Sequence, residues 1–100
     1  MIHQAQNLVD CFLSGDFSNY TGAGLTGFSG NNKEIYFNGM LIIYKSKNDI
    51  VICQGLIGNY SVMTILNLFP KVVANVSDNK RLFINGVEWD GKKTNLSLFI

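Results

Sequence analysis

The chain has 100 residues, 47% of them hydrophobic and 15% charged, with a formal net charge of +1. A charged share well below the usual roughly 25% excludes an intrinsically disordered chain, and the near-zero balance excludes a strong global field for nucleic acid or membrane. This length supports one domain with one core, and its weakly charged surface points either to self-association or a protein partner, or to a neutral coat of Asn, Ser, Thr and Gly.

Ile2, Leu8, Val9, Phe12 and Leu13 recur at helical spacing with Ala5 on the same side, and Gly15 follows as a stop, so a short amphipathic helix is predicted over 2–14. Residues 16–32 carry Gly22, Gly24, Gly27 and Gly30 among Ser, Thr and Asn, with Phe17, Tyr20, Leu25 and Phe28 as anchors. They read as a long, mobile loop, with an irregular strand around Gly24–Ser29 as the alternative. Residues 34–53 read as three successive antiparallel strands. Ile35-Tyr36-Phe37 and Met40–Tyr44 flank Asn38-Gly39, residues that accept the positive φ angles of a type I′ turn, and a polar turn at Ser46–Asp49 leads into Ile50–Cys53.

After a break at Gly55–Gly58, Val62, Ile65, Leu66 and Phe69 fall at i, i+3, i+4 and i+7. With Asn59 or Ser61 as N-cap and Pro70 as terminator, they predict a helix over 60–69. Residues 72–100 read as strands. These are Val72–Val76, then Leu82–Ile84 and Val87–Trp89 about a second Asn-Gly at Asn85-Gly86, then Asn95–Ile100 with Leu96, Leu98 and Ile100 alternating. The expected fold is one α+β domain: an antiparallel sheet of about five to seven short strands with two helices packed on it.

No catalytic, cofactor or metal site is expected. Gly22–Gly27, "GAGLTG", matches GxGxxG, but a dinucleotide site needs a strand before it and a helix opening after it, and Phe28-Ser29-Gly30-Asn31-Asn32 cannot open a helix. His3 is the single histidine, at the chain terminus, which removes a Cys-His or Ser-His pair from reach. Glu88 and Asp90 stand two apart beside Gly91 and read as a solvated pair rather than an acid–base pair. Cys11 and Cys53 show no metal or CxxC spacing and are expected as buried free thiols in a reducing cytosol, where the Asn-x-Ser/Thr sequences at Asn19, Asn59, Asn75 and Asn95 have no meaning. Met1-Ile2-His3 shows no basic n-region and no apolar run approaches the roughly 18 residues that span a bilayer, so neither a leader nor a membrane span is expected.

The candidates that remain are partner-binding groups. Tyr20 and Tyr60, flanked by small polar residues, and Trp89 are the candidate anchors, with Lys80, Arg81, Lys92 and Lys93 as the accompanying cations. Tyr36, Tyr44 and Trp89 also read as sheet residues with one face in the core. Most of the positive charge falls late in the chain, where Lys71, Lys80, Arg81, Lys92 and Lys93 face Asp78, Glu88 and Asp90.

The ordered series "IYFNGMLIIYK", "IVICQGLIGNYSVMTILNLFP" and "LFINGVEWDGK" resembles a family of small uncharacterised domains encoded by bacteriophages and plasmids. Ser61, Thr64, Leu66 and Asn67 match the family's helix, and Asn85, Gly86, Trp89 and Gly91 its Asn-Gly-x-x-Trp-x-Gly close. The family's second helix threonine is replaced at Met63 or Ile65, and Lys92-Lys93 stand where an aromatic often follows. The resemblance implies a mobile-element origin and a bacterial cytoplasm, and it brings no activity with it. The expectation is a non-enzymatic module that binds a host protein complex, in its most specific form an inhibitor of a host defence complex such as a CRISPR-Cas effector. The alternatives are a small nucleic-acid-binding module, or a self-associating, homodimeric structural phage protein.

Overall fold

The first helix forms where the apolar spacing puts it. In the computed structural model, which describes residues 3–53 and 61–100, α1 spans His3–Ser14 and buries Ala5, Leu8, Val9 and Phe12 completely. Those positions lie at i, i+3, i+4 and i+7, one face of a 3.6-residue repeat. Gly15 then takes φ 78°, an angle that penalises a β-carbon, and its N–H closes the last turn on Cys11 O at 2.8 Å.

The glycine-rich segment that follows is fastened to the body. Asn7 Oδ1 on α1 accepts hydrogen bonds from Thr21 N–H (2.8 Å) and Thr21 Oγ1 (3.1 Å). Phe17 and Tyr20 meet edge to face with ring centroids 5.1 Å apart and pack against the core, and Ala23 is buried. The segment ends in a strand, β1 (Phe28–Gly30), which overlaps the end of the irregular strand expected as the alternative around Gly24–Ser29.

β1 is the edge of a five-stranded sheet with β2 (Glu34–Phe37), β3 (Met40–Ser46), β4 (Asp49–Ile52) and β8 (Thr94–Asn95), ordered β1-β2-β3-β4-β8 with antiparallel neighbours throughout. Asn38 and Gly39 turn β2 into β3 at φ 50° and 83°, the left-handed pair that a type I′ turn requires. The register shifts between Ile35 (opposite Ile43) and Tyr36 (opposite Leu41), leaving Ile42 as the extra residue of a bulge, so that Ile42 and Ile43 are both buried although they are consecutive. At the sheet edge, a β-carbon on Gly30 would come within 2.4 Å of Glu34 O and 3.3 Å of Leu8 Cδ1, so only glycine lets β1, β2 and α1 meet there.

α2 (Ser61–Leu66) buries Val62, Met63, Ile65 and Leu66, with Ser61 as its first residue; Asn59 and the break at Gly55–Gly58 lie outside the described residues. It stops short of Phe69 because the chain tightens ahead of Pro70: Leu68 N–H bonds Ile65 O and Phe69 N–H bonds Leu66 O, both at 3.0 Å and both i to i+3. Asn67 then acts as a piece of strand backbone, its Nδ2 donating to Ala74 O (2.6 Å) and its Oδ1 accepting from Ala74 N–H (2.8 Å). β5 (Ala74–Val76), β6 (Leu82–Ile84) and β7 (Val87–Trp89) form a separate three-stranded antiparallel sheet. The α+β class therefore holds among the described residues, with two α-helices and eight strands divided between two sheets instead of gathered in one.

The C-terminal segment departs from its predicted strand. Only Thr94 and Asn95 pair with β4; Leu96–Leu98 is a 3-10 turn closed by Phe99 N–H to Leu96 O at 2.9 Å. Two side chains hold it there: Asn85 Nδ2 donates to Phe99 O (3.0 Å), and Ser97 Oγ donates to Asp49 Oδ2 (2.6 Å). Leu96 is buried, but Leu98 and Ile100, expected on the same face, are exposed.

One apolar cluster joins the parts. The larger sheet contributes Ile35, Ile43 and Ile52, the smaller sheet Leu82, Ile84 and Trp89, and Phe12 of α1 meets Phe69, just beyond the end of α2, edge to face at 6.1 Å. Lys45 on β3 donates from Nζ to Phe12 O and sits 4.8 Å from the Phe12 ring centroid. Cys11 is buried and Cys53 half-buried, both as free thiols, and no described helix is long and apolar enough to cross a membrane.

Candidate partner-binding surface

The second Asn-Gly turn ties together segments that carry exposed apolar side chains. Asn85 and Gly86 take φ 50° and 81°, reversing β6 into β7, and the Asn85 side chain reaches outward to two other segments. Its Oδ1 accepts from Val73 N–H (2.7 Å), while its Nδ2 donates to Lys71 O (3.2 Å) and Phe99 O (3.0 Å). The approach to β5, the β6–β7 turn and the C-terminal segment thus converge on one carboxamide. Among the described residues six large hydrophobic side chains are exposed, and four of them (Val73, Val87, Leu98 and Ile100) lie within two positions of Asn85 or of a residue it binds. Leu98 is the most open of these at 73%. Nothing local in the sequence marks this patch: Val73 reads as a strand residue, and the alternation of Leu96, Leu98 and Ile100 reads as one buried face.

The groups singled out from the sequence do not converge in this way. Of the two readings of Trp89, the sheet residue facing the core is the one observed, and not the exposed anchor: it is 4% exposed and donates from Nε1 to Lys92 O at 2.8 Å. An indole is too large to leave on a three-stranded sheet when one face of that sheet closes the core, and its N–H needs a partner once buried. Tyr20 is half-buried against Phe17, and burial first, then the neighbouring Cys11, raises its phenol above the usual range. Tyr60 lies outside the described residues.

The cations are dispersed and partly engaged. Lys80 is exposed in the β5–β6 turn at φ 64°, its N–H held by Ser77 O at 2.9 Å. Arg81 pairs with Glu88 at 3.4 Å across β6 and β7. Lys92 is exposed, with its N–H donating to Asp90 Oδ1 at 2.9 Å, so Glu88 and Asp90 serve an ion pair and a turn instead of facing each other. Lys93 Nζ lies 5.4 Å from the Tyr44 ring centroid, and a hydrogen bond with Tyr44 holds the ammonium above the ordinary lysine range. Beside it, burial pushes the Cys53 thiol above its ordinary range, and the nearby Lys93 partly opposes that shift.

The glycine motif at Gly22–Gly27 is a turn into β1. Thr26 Oγ1 donates to Ala23 O at 2.8 Å and accepts from Phe28 N–H at 3.2 Å, and a strand follows, so no helix N-terminus faces the glycines. Among the described residues no three His, Cys, Asp or Glu side chains are grouped to hold a metal ion. Comparison with family models, with curated proteins and with solved structures finds no match to this chain.

Proposed function

We propose that this chain is a non-enzymatic binding module that engages a protein partner through the apolar patch around Asn85. The observation that carries the reading is the gathering of Val73, Val87, Leu98 and Ile100 on segments tied together by one side chain. Apolar surface held open on an ordered frame is favourable to cover, at roughly 25 cal/mol per Å² removed from water. The frame is rigid where it matters, because three hydrogen bonds to Asn85 set the relative positions of the segments before any partner arrives. Resemblance to phage and plasmid domains supplies the more specific form of the proposal: a stoichiometric inhibitor of a host defence complex, such as a CRISPR-Cas effector, acting in the bacterial cytoplasm. The nucleic-acid reading draws less support, since Arg81 is engaged by Glu88, Lys93 by Tyr44, and the stacking candidate Trp89 is buried.

Affinity capture from a bacterial host lysate, run in parallel with wild type, Val73→Glu and Leu98→Glu, tests the reading. The expected result is a stoichiometric protein complex that survives high salt with wild type and is lost with either variant, while circular dichroism shows both variants folded. A charge placed in a desolvated apolar contact weakens binding by at least about tenfold. A complex that dissolves steeply with salt would favour the nucleic-acid alternative. Retention of the complex by both variants, or concentration-dependent self-association as the sole binding event, would overturn the proposal.

A further inference from the structure

The geometry points to Asn38 as a site of spontaneous covalent modification, deamidation through a succinimide, from which Asn85 in the same sequence context is protected. Both asparagines precede glycine, both sit first in a type I′ turn at φ 50°, and the glycines that follow have φ 83° and 81°. Apart from their own chain neighbours, neither Gly39 nor Gly86 has an atom within 4 Å of where a β-carbon would stand, so neither turn is crowded by a remote segment on that side. Even the backbone anchors match, with Asn38 N–H on Gly27 O at 2.9 Å and Asn85 N–H on Val73 O at 2.8 Å. Local chemistry and local conformation are therefore held constant by the molecule itself.

The carboxamides differ. That of Asn85 is held by three hydrogen bonds, two from Nδ2 and one to Oδ1. That of Asn38 makes no hydrogen bond among the described residues; its Oδ1 merely lies over Gly27, 2.7 Å from the position a β-carbon there would take. In the reaction the Gly39 backbone nitrogen, losing its proton, bonds to Asn38 Cγ, and the Cγ–Nδ2 bond breaks with release of ammonia. The five-membered succinimide that results is opened by water at either carbonyl, giving aspartate or isoaspartate at position 38. One water is consumed, one ammonia is released, and nothing is oxidised or reduced. At Asn85 the same attack requires Cγ to swing toward Gly86 and surrender all three hydrogen bonds, which slows it by on the order of a hundredfold. The product at 85 would also set a carboxylate against the Lys71 and Phe99 carbonyl oxygens, whereas at 38 it adds one exposed negative charge and, as isoaspartate, one extra backbone methylene in the β2–β3 turn.

Incubation of the purified full chain at mildly alkaline pH, with peptide mapping by mass spectrometry at both positions, tests this. In the native protein, conversion at position 38 should proceed while position 85 lags by roughly two orders of magnitude; in concentrated urea the two rates should become equal. Comparable native rates, native conversion led by Asn85, no native conversion at Asn38, or a rate difference that persists in urea would each overturn the inference.

Discussion

The hairpins at 38–39 and 85–86 are the same device put to different uses. Each reverses the chain with Asn-Gly at nearly identical φ angles, and each takes the asparagine N–H to a carbonyl on the preceding segment, Gly27 or Val73. The first turn ends there. It joins β2 to β3 in the larger sheet, and among the described residues its side chain makes no hydrogen bond. In the second, the same side chain gathers the Lys71–Val73 approach and the Phe99 carbonyl, and so joins the smaller sheet to the C-terminal segment. A turn motif thus specifies how a chain reverses but leaves open what the spare carboxamide does, and that depends on which remote segments arrive.

The largest effect that could break this comparison is at the asparagines themselves. Asn85→Ala removes three hydrogen bonds and forces a β-branch-free but still L-configured residue into positive φ, and is expected to cost about 4 kcal/mol, against about 1 kcal/mol for Asn38→Ala, which loses only the conformational preference. Urea denaturation measures both. The corresponding glycine variants sharpen the result, because glycine relieves the strain at either turn: Asn38→Gly should be near neutral, and Asn85→Gly should still lose about 3 kcal/mol. Equal losses at 38 and 85 would remove the distinction between the turns.

Next in size is Gly30→Ala, where the added carbon meets the Glu34 backbone at 2.4 Å and cannot be accommodated by a side-chain rotation alone; a loss of about 3 kcal/mol is expected from the sheet that holds the first hairpin. Trp89→Phe probes the second sheet. It removes the bond to Lys92 O and part of the core volume, and should cost about 2 kcal/mol by the same denaturation measurement.

A smaller effect concerns the other tether of the C-terminal segment. The Ser97 hydroxyl, followed by the Ile50 N–H, holds the Asp49 carboxyl below its ordinary range. A carboxylate with a lowered folded-state pKa contributes stability above the unfolded value and loses it as pH falls through the folded one. Stability should therefore decline in the acid range below the ordinary aspartate pKa, and Ser97→Ala should flatten that decline in an acid titration followed by circular dichroism. The smallest expected change is for Arg81→Ala, whose pair with Glu88 is exposed at both ends (60% and 51%) and is worth a few tenths of a kcal/mol at most.

How much of this was legible before the structure follows the range of each interaction. The α1 face, the stop at Gly15, both Asn-Gly turns and the three successive strands over 34–53 are written in residues a few positions apart, and they stand where the spacing placed them. α2 ends before its expected limit because Phe69 keeps the helical spacing while the backbone already tightens ahead of Pro70. The tail departs from its expected strand because alternation at Leu96, Leu98 and Ile100 is a strand signal that Asn85 and Asp49 override with hydrogen bonds from distant positions.

The candidate surface was legible only in outline. The residues singled out from their own flanks are scattered over the fold, and the most prominent of them, Trp89, is buried. What the sequence by itself determined is the α1 face, the Asn-Gly reversals and the strands that flank them, because φ preferences and apolar periods act over one or two turns of backbone. The division into two sheets, the burial of Trp89 and the gathering of Val73, Val87, Leu98 and Ile100 about Asn85 belong to the tertiary structure, because whether a side chain is covered depends on segments that meet only when the whole core closes.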